Sequence, residues 1–317
     1  MQSRRVAALT ATVAALLACG RARAGSGSPA PARAALGLGA GAPLGVQIPC
    51  PEQAPLPAYA HNDYENRRPL WDALRLGFAG VEADVVLVDG ALLVAHGRRG
   101  ARPGRTLEAL YLRPLRDLVK RCGTVLPVAR AFLLNIEIKE RSPAAHDSLV
   151  ALLGRYPDVV GPADRGPAHP TKAGRAGPPG EPWPGAAPVE VVLVGWHPPL
   201  PELARQMPLL ARVQQKLTSA EAVAPVTPAG LVRLVSLDYG KTIGRDRRGS
   251  DRWLAALRRA KAAGPGRLAR VYNAPVHRAV YAALLAAGVD LIGTEDLAGT
   301  RRELDRVLAV DRRAGAP

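Results

Sequence analysis

Between residues 56 and 310 the sequence repeats one unit, a short apolar run of strand length followed by a stretch with helical periodicity. The runs LPAYAH, GVEADVVLVDGALLVAH, FLLNIEIK, VEVVLVGWH, ARVQQKL, RLVSLDYG, LARVYNA and DLIGTED make eight. Behind them come PLWDALRLGF, TLEALYLRPLRDLVKRCG, HDSLVALLGRY, PELARQM, a short helix near AEAV, RWLAALRRAKAAG, HRAVYAALLAAG and RRELDRVLAV. Parallel strands need a crossover of about a dozen residues between them, usually a helix, so the alternation calls for a parallel sheet with helices outside it. Eight units in roughly 260 residues match the size of one (β/α)8 barrel. The fold expected is therefore α/β, a TIM barrel with a parallel eight-stranded core and outer helices. A doubly wound open sheet is the competing arrangement, but no G-x-G-x-x-G fingerprint follows the first strand.

Local signals refine this outline. Pro69 suits the first turn of the first helix, because a missing N–H costs nothing there. Asp89-Gly90 divides the second apolar run and reads as a tight hairpin turn, which would swing His96 back towards the end of the second strand. Residues 158–188 turn Gly/Pro-rich with scattered charge and read as a solvated insertion between a helix and the next strand, at the bottom of the barrel.

Polar residues at strand ends carry the chemistry. Side chains alternate across a strand, so Glu82 and Asp84 share one face while Val81, Ala83 and Val85 share the other. Asn135, Glu137 and Lys139 share a face in the same way, opposite Ile136 and Ile138. Three carboxylates, Glu82, Asp84 and Glu137, can then converge on one cation, and oxygen donors suit Mg2+ or Ca2+ better than zinc. His61 and His96 bracket the acids and are the candidate acid and base pair, since an ordinary imidazole titrates near neutrality, at about 6.5. The sequence does not say which is acid and which is base. Lys139 is placed to meet a phosphate oxygen, the competing reading being an ion pair to Glu137. Asn62 is a further candidate contact to cation or phosphate, and His197 and Lys241 are candidates for the lining of the pocket. Glu295 and Asp296 follow the last strand and serve equally well as the N-cap of the final helix.

With these residues in view, AHNDYEN, RPLWDAL, VEADVVLVDGALLVAH, TLEALYLRPL, NIEIK and GVDLIGTEDL resemble the glycerophosphodiester phosphodiesterase and phosphatidylinositol-phospholipase-C-like superfamily, most closely its "altered inheritance of mitochondria" branch. The resemblance runs in order from about Ala58 to Arg306. It implies a (β/α)8 barrel in which His61 follows the first strand, Glu82 and Asp84 form the E-x-D pair of the second, His96 is the second histidine and Glu137 the acid of the third. It also implies a phosphoric diester hydrolase, glycerophosphodiesterase or phospholipase C/D-like, acting on a glycerophosphodiester or a phospholipid headgroup. Two departures stand out: His-Asn-Asp replaces the usual His-Arg-Gly at His61, and His96 is followed by Gly97 instead of an acid, which removes an orienting partner for the imidazole. The alternative is a catalytically impaired barrel that binds anionic headgroups or surface polymers.

Residues 1–24 read as a signal peptide, with Arg4 and Arg5 before an apolar run and an A-x-A site at Ala22-Arg23-Ala24, and residues 25–55 as a Gly/Ala/Pro-rich tether. The expected location is secreted or periplasmic; the rival reading is a lipoprotein anchored through Cys19. The net charge of +16 falls to +12 once the four arginines before Gly25 are removed. Such a surface suits an anionic membrane as peripheral partner, whereas the scattered charge and few aromatic residues argue against nucleic acid. The chain is taken as a monomer. Cys50 and Cys122 remain as a pair able to form a disulfide in an oxidising compartment, a distance the sequence does not fix.

Overall fold

A computed structural model describes residues 48–128, 130–160, 187–205, 212–218, 231–245, 250–264 and 266–314. The expected signal peptide, most of the expected tether and of the expected insertion, and the helix expected near AEAV lie outside the described residues. Among the described residues nine strands form one sheet: β1 (Leu56–Ala60), β2 (Phe78–Val88), β3 (Ala91–Val94), β4 (Phe132–Ile138), β5 (Val189–Gly195), β6 (Arg212–Lys216), β7 (Val232–Asp238), β8 (Leu268–Tyr272) and β9 (Leu291–Thr294). Their order is β1-β9-β8-β7-β6-β5-β4-β2-β3, and β1 also pairs with β2, so eight parallel strands close into a barrel and β3 adds antiparallel to β2. The helices are α1 (Trp71–Arg75), α2 (Arg113–Cys122), α3 (Pro143–Leu153), α4 (Leu200–Arg205), α5 (Ser250–Ala262), α6 (Arg278–Ala286) and α7 (Leu297–Ala314). The architecture is the (β/α)8 barrel that the alternation predicts.

Two apolar layers hold it. Outward side chains such as Val81, Ala83, Val85, Ile136 and Ile138 pack with Leu149, Leu254 and Leu304 of the helices in one large buried cluster. Tyr59, Ala79, Leu133, Val192, Leu234 and Leu291, from six strands, form a separate buried cluster. Leu133 precedes Asn135 and Glu137 on one face of β4, so this inner plug fills the barrel axis beneath the carboxylates, as expected of a barrel whose interior is packed and whose chemistry sits at the C-terminal ends of the strands.

The Asp89-Gly90 turn forms, with φ of 48° and 78°, the paired positive values that a two-residue hairpin needs, and β2 and β3 pair from Val88↔Ala91 to Val85↔Val94. Two helices differ from expectation. α1 spans only five residues, because Leu70 takes φ 63° and gives its N–H to the Asp63 carboxylate at 2.5 Å, so Pro69 lies outside the helix. The run TLEALYLRPLRDLVKRCG is two segments, a π-helical turn at Glu108–Leu112 and then α2. Pro114 lacks an N–H and falls at the junction, where it cannot complete the ordinary i→i−4 ladder. Gly123, at φ 75°, closes α2. Beside it Cys122 is bonded to Cys50, with Cα atoms 5.6 Å apart, which fastens the approach to β1 onto the lower end of α2.

Candidate functional site

β2 and β4 pair in register, Glu82 with Asn135 and Asp84 with Glu137, so the three carboxylates project from adjacent strands on the inner face. Ligand oxygens of Glu82, Asp84 and Glu137 lie within 4.8 Å of one another. Glu82 and Asp84 are buried and Glu137 is half-buried. Asp84 carries an unequal load. Its Oδ2 accepts from the Tyr64 hydroxyl at 2.7 Å and lies 2.9 Å from His96 Nδ1 and 3.1 Å from Lys139 Nζ. Its Oδ1 is buried with no partner among the described residues. A buried carboxylate oxygen without a donor is costly unless something polar meets it. An all-oxygen donor set with one oxygen left free therefore fits a hard divalent cation.

His61 stands just past β1, its N–H bonded to the Thr294 carbonyl at 2.9 Å across the closure of the barrel. Its Nδ1 is 3.1 Å from Glu295 and its Nε2 is 3.6 Å from Glu82. His96 reaches the site because the hairpin returns, Ala95 N–H donating to the Asp84 carbonyl at 3.0 Å, and its side chain remains 72% exposed. The orienting partner that Gly97 cannot supply is Asp84 itself.

Two cations neutralise the acids. Lys139 Nζ lies 3.1 Å from both Asp84 and Glu137. Burial alone would lower its pKa, but the two carboxylates outweigh that and hold it above the usual lysine value. Arg270, on the inner face of β8, points at Glu82 from beneath, Nη2 to Oε2 at 3.2 Å, and donates to Gln214 at 2.7 Å. It is 2% exposed and lies over the rings of Tyr59 and Tyr272, 4.2 and 4.7 Å from their centroids. Tyr59 accepts from Asn135 at 2.9 Å, and burial keeps its phenol protonated.

The structure therefore gathers His61, Glu82, Asp84, His96, Glu137 and Lys139. The ion pair to Glu137 that competed with a phosphate role for Lys139 is present and extends to Asp84. Asn62 has a left-handed backbone, φ 49°; its amide nitrogen donates to Glu295 at 3.1 Å and its Oδ1 lies 3.4 Å from the Tyr64 hydroxyl that binds Asp84. His197 bonds through Nδ1 to the Pro198 carbonyl at 2.7 Å, and exposed Lys241 lies 3.7 Å from Asp238. Sequence reasoning missed Tyr64 and Arg270 and left Glu295 between two roles. Asp296 is the cap, accepting from Gly299 N–H at 2.8 Å, which frees Glu295 for His61. A charged residue at mid-strand in LARVYNA, on the inward side, is the signal by which Arg270 could have been found.

Comparison with known proteins bears on this segment. Residues 51–140 match the AIM6-like phosphodiesterase domain. That stretch carries His61, Glu82, Asp84, His96, Glu137 and Lys139, while Arg270 and Glu295 come from outside it. The chain is 34% identical over 79 residues to altered inheritance of mitochondria protein 6 homolog of Arthroderma benhamiae, covering 23% of this chain and 25% of that one. It is 42% identical over 64 residues to altered inheritance of mitochondria protein 6 of Eremothecium gossypii, covering 20% and 16%. The matches thus span a quarter or less of those relatives' length. A glycerophosphodiester phosphodiesterase from Agrobacterium tumefaciens, 15% identical, aligns over 79% of this chain and 100% of its own with a TM-score of 0.42.

Proposed function

We propose that the protein is an exported, cation-assisted phosphoric diester hydrolase acting on a glycerophosphodiester or phospholipid headgroup. One observation carries the reading: three carboxylates from two neighbouring strands lie within 4.8 Å of one another, with His61 and His96 each against one of them. The match of residues 51–140 to a phosphodiesterase domain supports it. Export is supported by the Cys50–Cys122 disulfide, since such bridges persist in oxidising compartments.

Glu82, Asp84 and Glu137 would hold Mg2+ or Ca2+, which when bound neutralises phosphate charge. The chain's own groups handle protons and position. Water, or a hydroxyl of the substrate, bonds to phosphorus as the bond to the leaving alcohol breaks; one imidazole takes the attacking proton and the other protonates the departing oxygen. Glu295 and Asp84 orient the two rings, and Tyr64 fixes Asp84.

A second reading has its own observation, the cations already seated on the acids, Lys139 on Asp84 and Glu137 and Arg270 on Glu82, whose charge would offset that of the phosphate without an ion. Arg270 is walled in beneath Glu82, which leaves Lys139 alone to meet substrate and makes this reading the weaker. In the test, the wild-type chain cleaves glycerophosphodiesters, while His61→Ala and Glu82→Gln each lose about a hundredfold or more in kcat. Full activity in either variant rejects the assigned site. Phosphorus NMR separates the two attacking groups, because a substrate hydroxyl leaves a cyclic phosphate and water does not.

A further inference from the structure

We infer that Lys139 is an internal counter-cation that competes with the divalent ion for Asp84 and Glu137, and that the phosphate of the substrate relieves the competition by drawing the ammonium onto its own oxygens. The inference rests on the cation-assisted reading and concerns how that same site is loaded.

The geometry is specific. Lys139 Nζ sits 3.1 Å from Asp84 Oδ2 and 3.1 Å from Glu137 Oε1, and those residues are two of the three able to hold the ion. Asp84 Oδ2 is already met by Tyr64, His96 and Lys139, whereas Oδ1 has no partner among the described residues. The Lys139 side chain is only 16% exposed, so water screens its charge weakly from another beside it. Lys139 follows directly on β4, two residues after Glu137, and its backbone N–H donates to the Val85 carbonyl at 3.0 Å. The backbone is thus fixed, and only the side chain can move aside.

Two cations on one pair of carboxylates repel each other. An anion supplies what the ammonium gives up on leaving Asp84 and Glu137, so cation and diester should each tighten the binding of the other, and by the same factor in both directions. Arg270 does not share this role: it is 2% exposed and held between Glu82 and Gln214, so it is not placed to move onto a phosphate oxygen as Lys139 is.

The test is calorimetric titration of Mg2+ alone, and of inorganic phosphate with and without Mg2+, into the full chain. Lys139→Met should bind Mg2+ about tenfold more tightly than wild type and inorganic phosphate more weakly, while Lys139→Arg, which keeps the charge, stays near wild type. In Lys139→Met the mutual enhancement between Mg2+ and phosphate should shrink. Mg2+ affinity that is unchanged or weakened in Lys139→Met overturns the inference, and Lys139→Gln repeats the comparison should the methionine variant fail to fold. Glu82→Gln keeps the two claims apart. If it binds Mg2+ as well as wild type does, or if no variant binds the ion, the cation reading falls; if Glu82→Gln loses the ion while Lys139→Met gains nothing, only the role of Lys139 falls.

Discussion

Asp63 shows how one buried group shapes the loop that bears His61. Its carboxyl is wholly buried and accepts from Leu70 N–H at 2.5 Å and from the Tyr111 hydroxyl at 3.0 Å, so the chain from His61 to Leu70 wraps around it. Burial pushes its pKa up to about 7, against the opposing pull of those donors. A folded-state value above the unfolded one means that the native protein holds the proton more tightly. The stabilisation is complete below pH 4 and is lost as pH rises towards 7. Asp63→Asn should remove that share, so the gap in melting temperature between variant and wild type should change between pH 4 and pH 8, the wild type losing more on the way up. Parallel melting curves across that range would show that Asp63 does not titrate there. At this scale Glu82, Asp84, Glu137, His61 and His96 were legible because strand alternation and the ends of apolar runs mark them. Tyr64 was not, since its bond to Asp84 depends on the fold of a loop, and Arg270 and Glu295 act across the barrel on residues distant in the chain.

Among the elements, β5 and β4 are matched at one glycine. Gly195 ends β5 at φ 72°, and a Cβ there would stand 2.9 Å from Glu137 Cγ and 3.1 Å from its Oε1. The absent side chain is what gives the third carboxylate its room. Gly195→Ala should lose roughly 1–2 kcal/mol of stability from the left-handed backbone alone. It should also weaken divalent-cation binding by displacing Glu137. Denaturant unfolding and calorimetry read the two effects separately, and unaltered cation affinity would show that Glu137 needs no such space. The sequence marks Gly195 only as the end of a strand, because the neighbour that needs the space lies 58 positions earlier, on another strand. The hairpin at Asp89-Gly90 was legible, since its signal is local and its effect, the return of His96 to Asp84, follows from the turn. The shortened α1 was not: helical spacing runs through PLWDALRLGF, and a tertiary bond from Leu70 to Asp63 overrides it.

For the molecule as a whole, closure of the barrel completes the site, because the pairing of β1 with β9 brings Thr294 and Glu295 onto His61. Eight alternating units made the closed barrel legible, whereas the disulfide was open in the sequence, because nothing in the spacing of Cys50 and Cys122 fixes the distance between them. That bridge closes a separation of 72 residues. Cys122→Ser, or reduction, should cost roughly 2–4 kcal/mol by restoring freedom to the unfolded chain. Calorimetric melting with and without reductant measures this, and an unchanged transition would mean that the bridge adds no stability. The central claim is that the carboxylates of β2 and β4 serve diester cleavage by holding a divalent ion. Glycerophosphodiester hydrolysis by the purified chain, followed before chelation, after it and after return of Mg2+ or Ca2+, tests this most directly. The account predicts loss of turnover on chelation and recovery on return of the ion; full turnover in the stripped protein would contradict it and leave Lys139 as the cation that meets the phosphate.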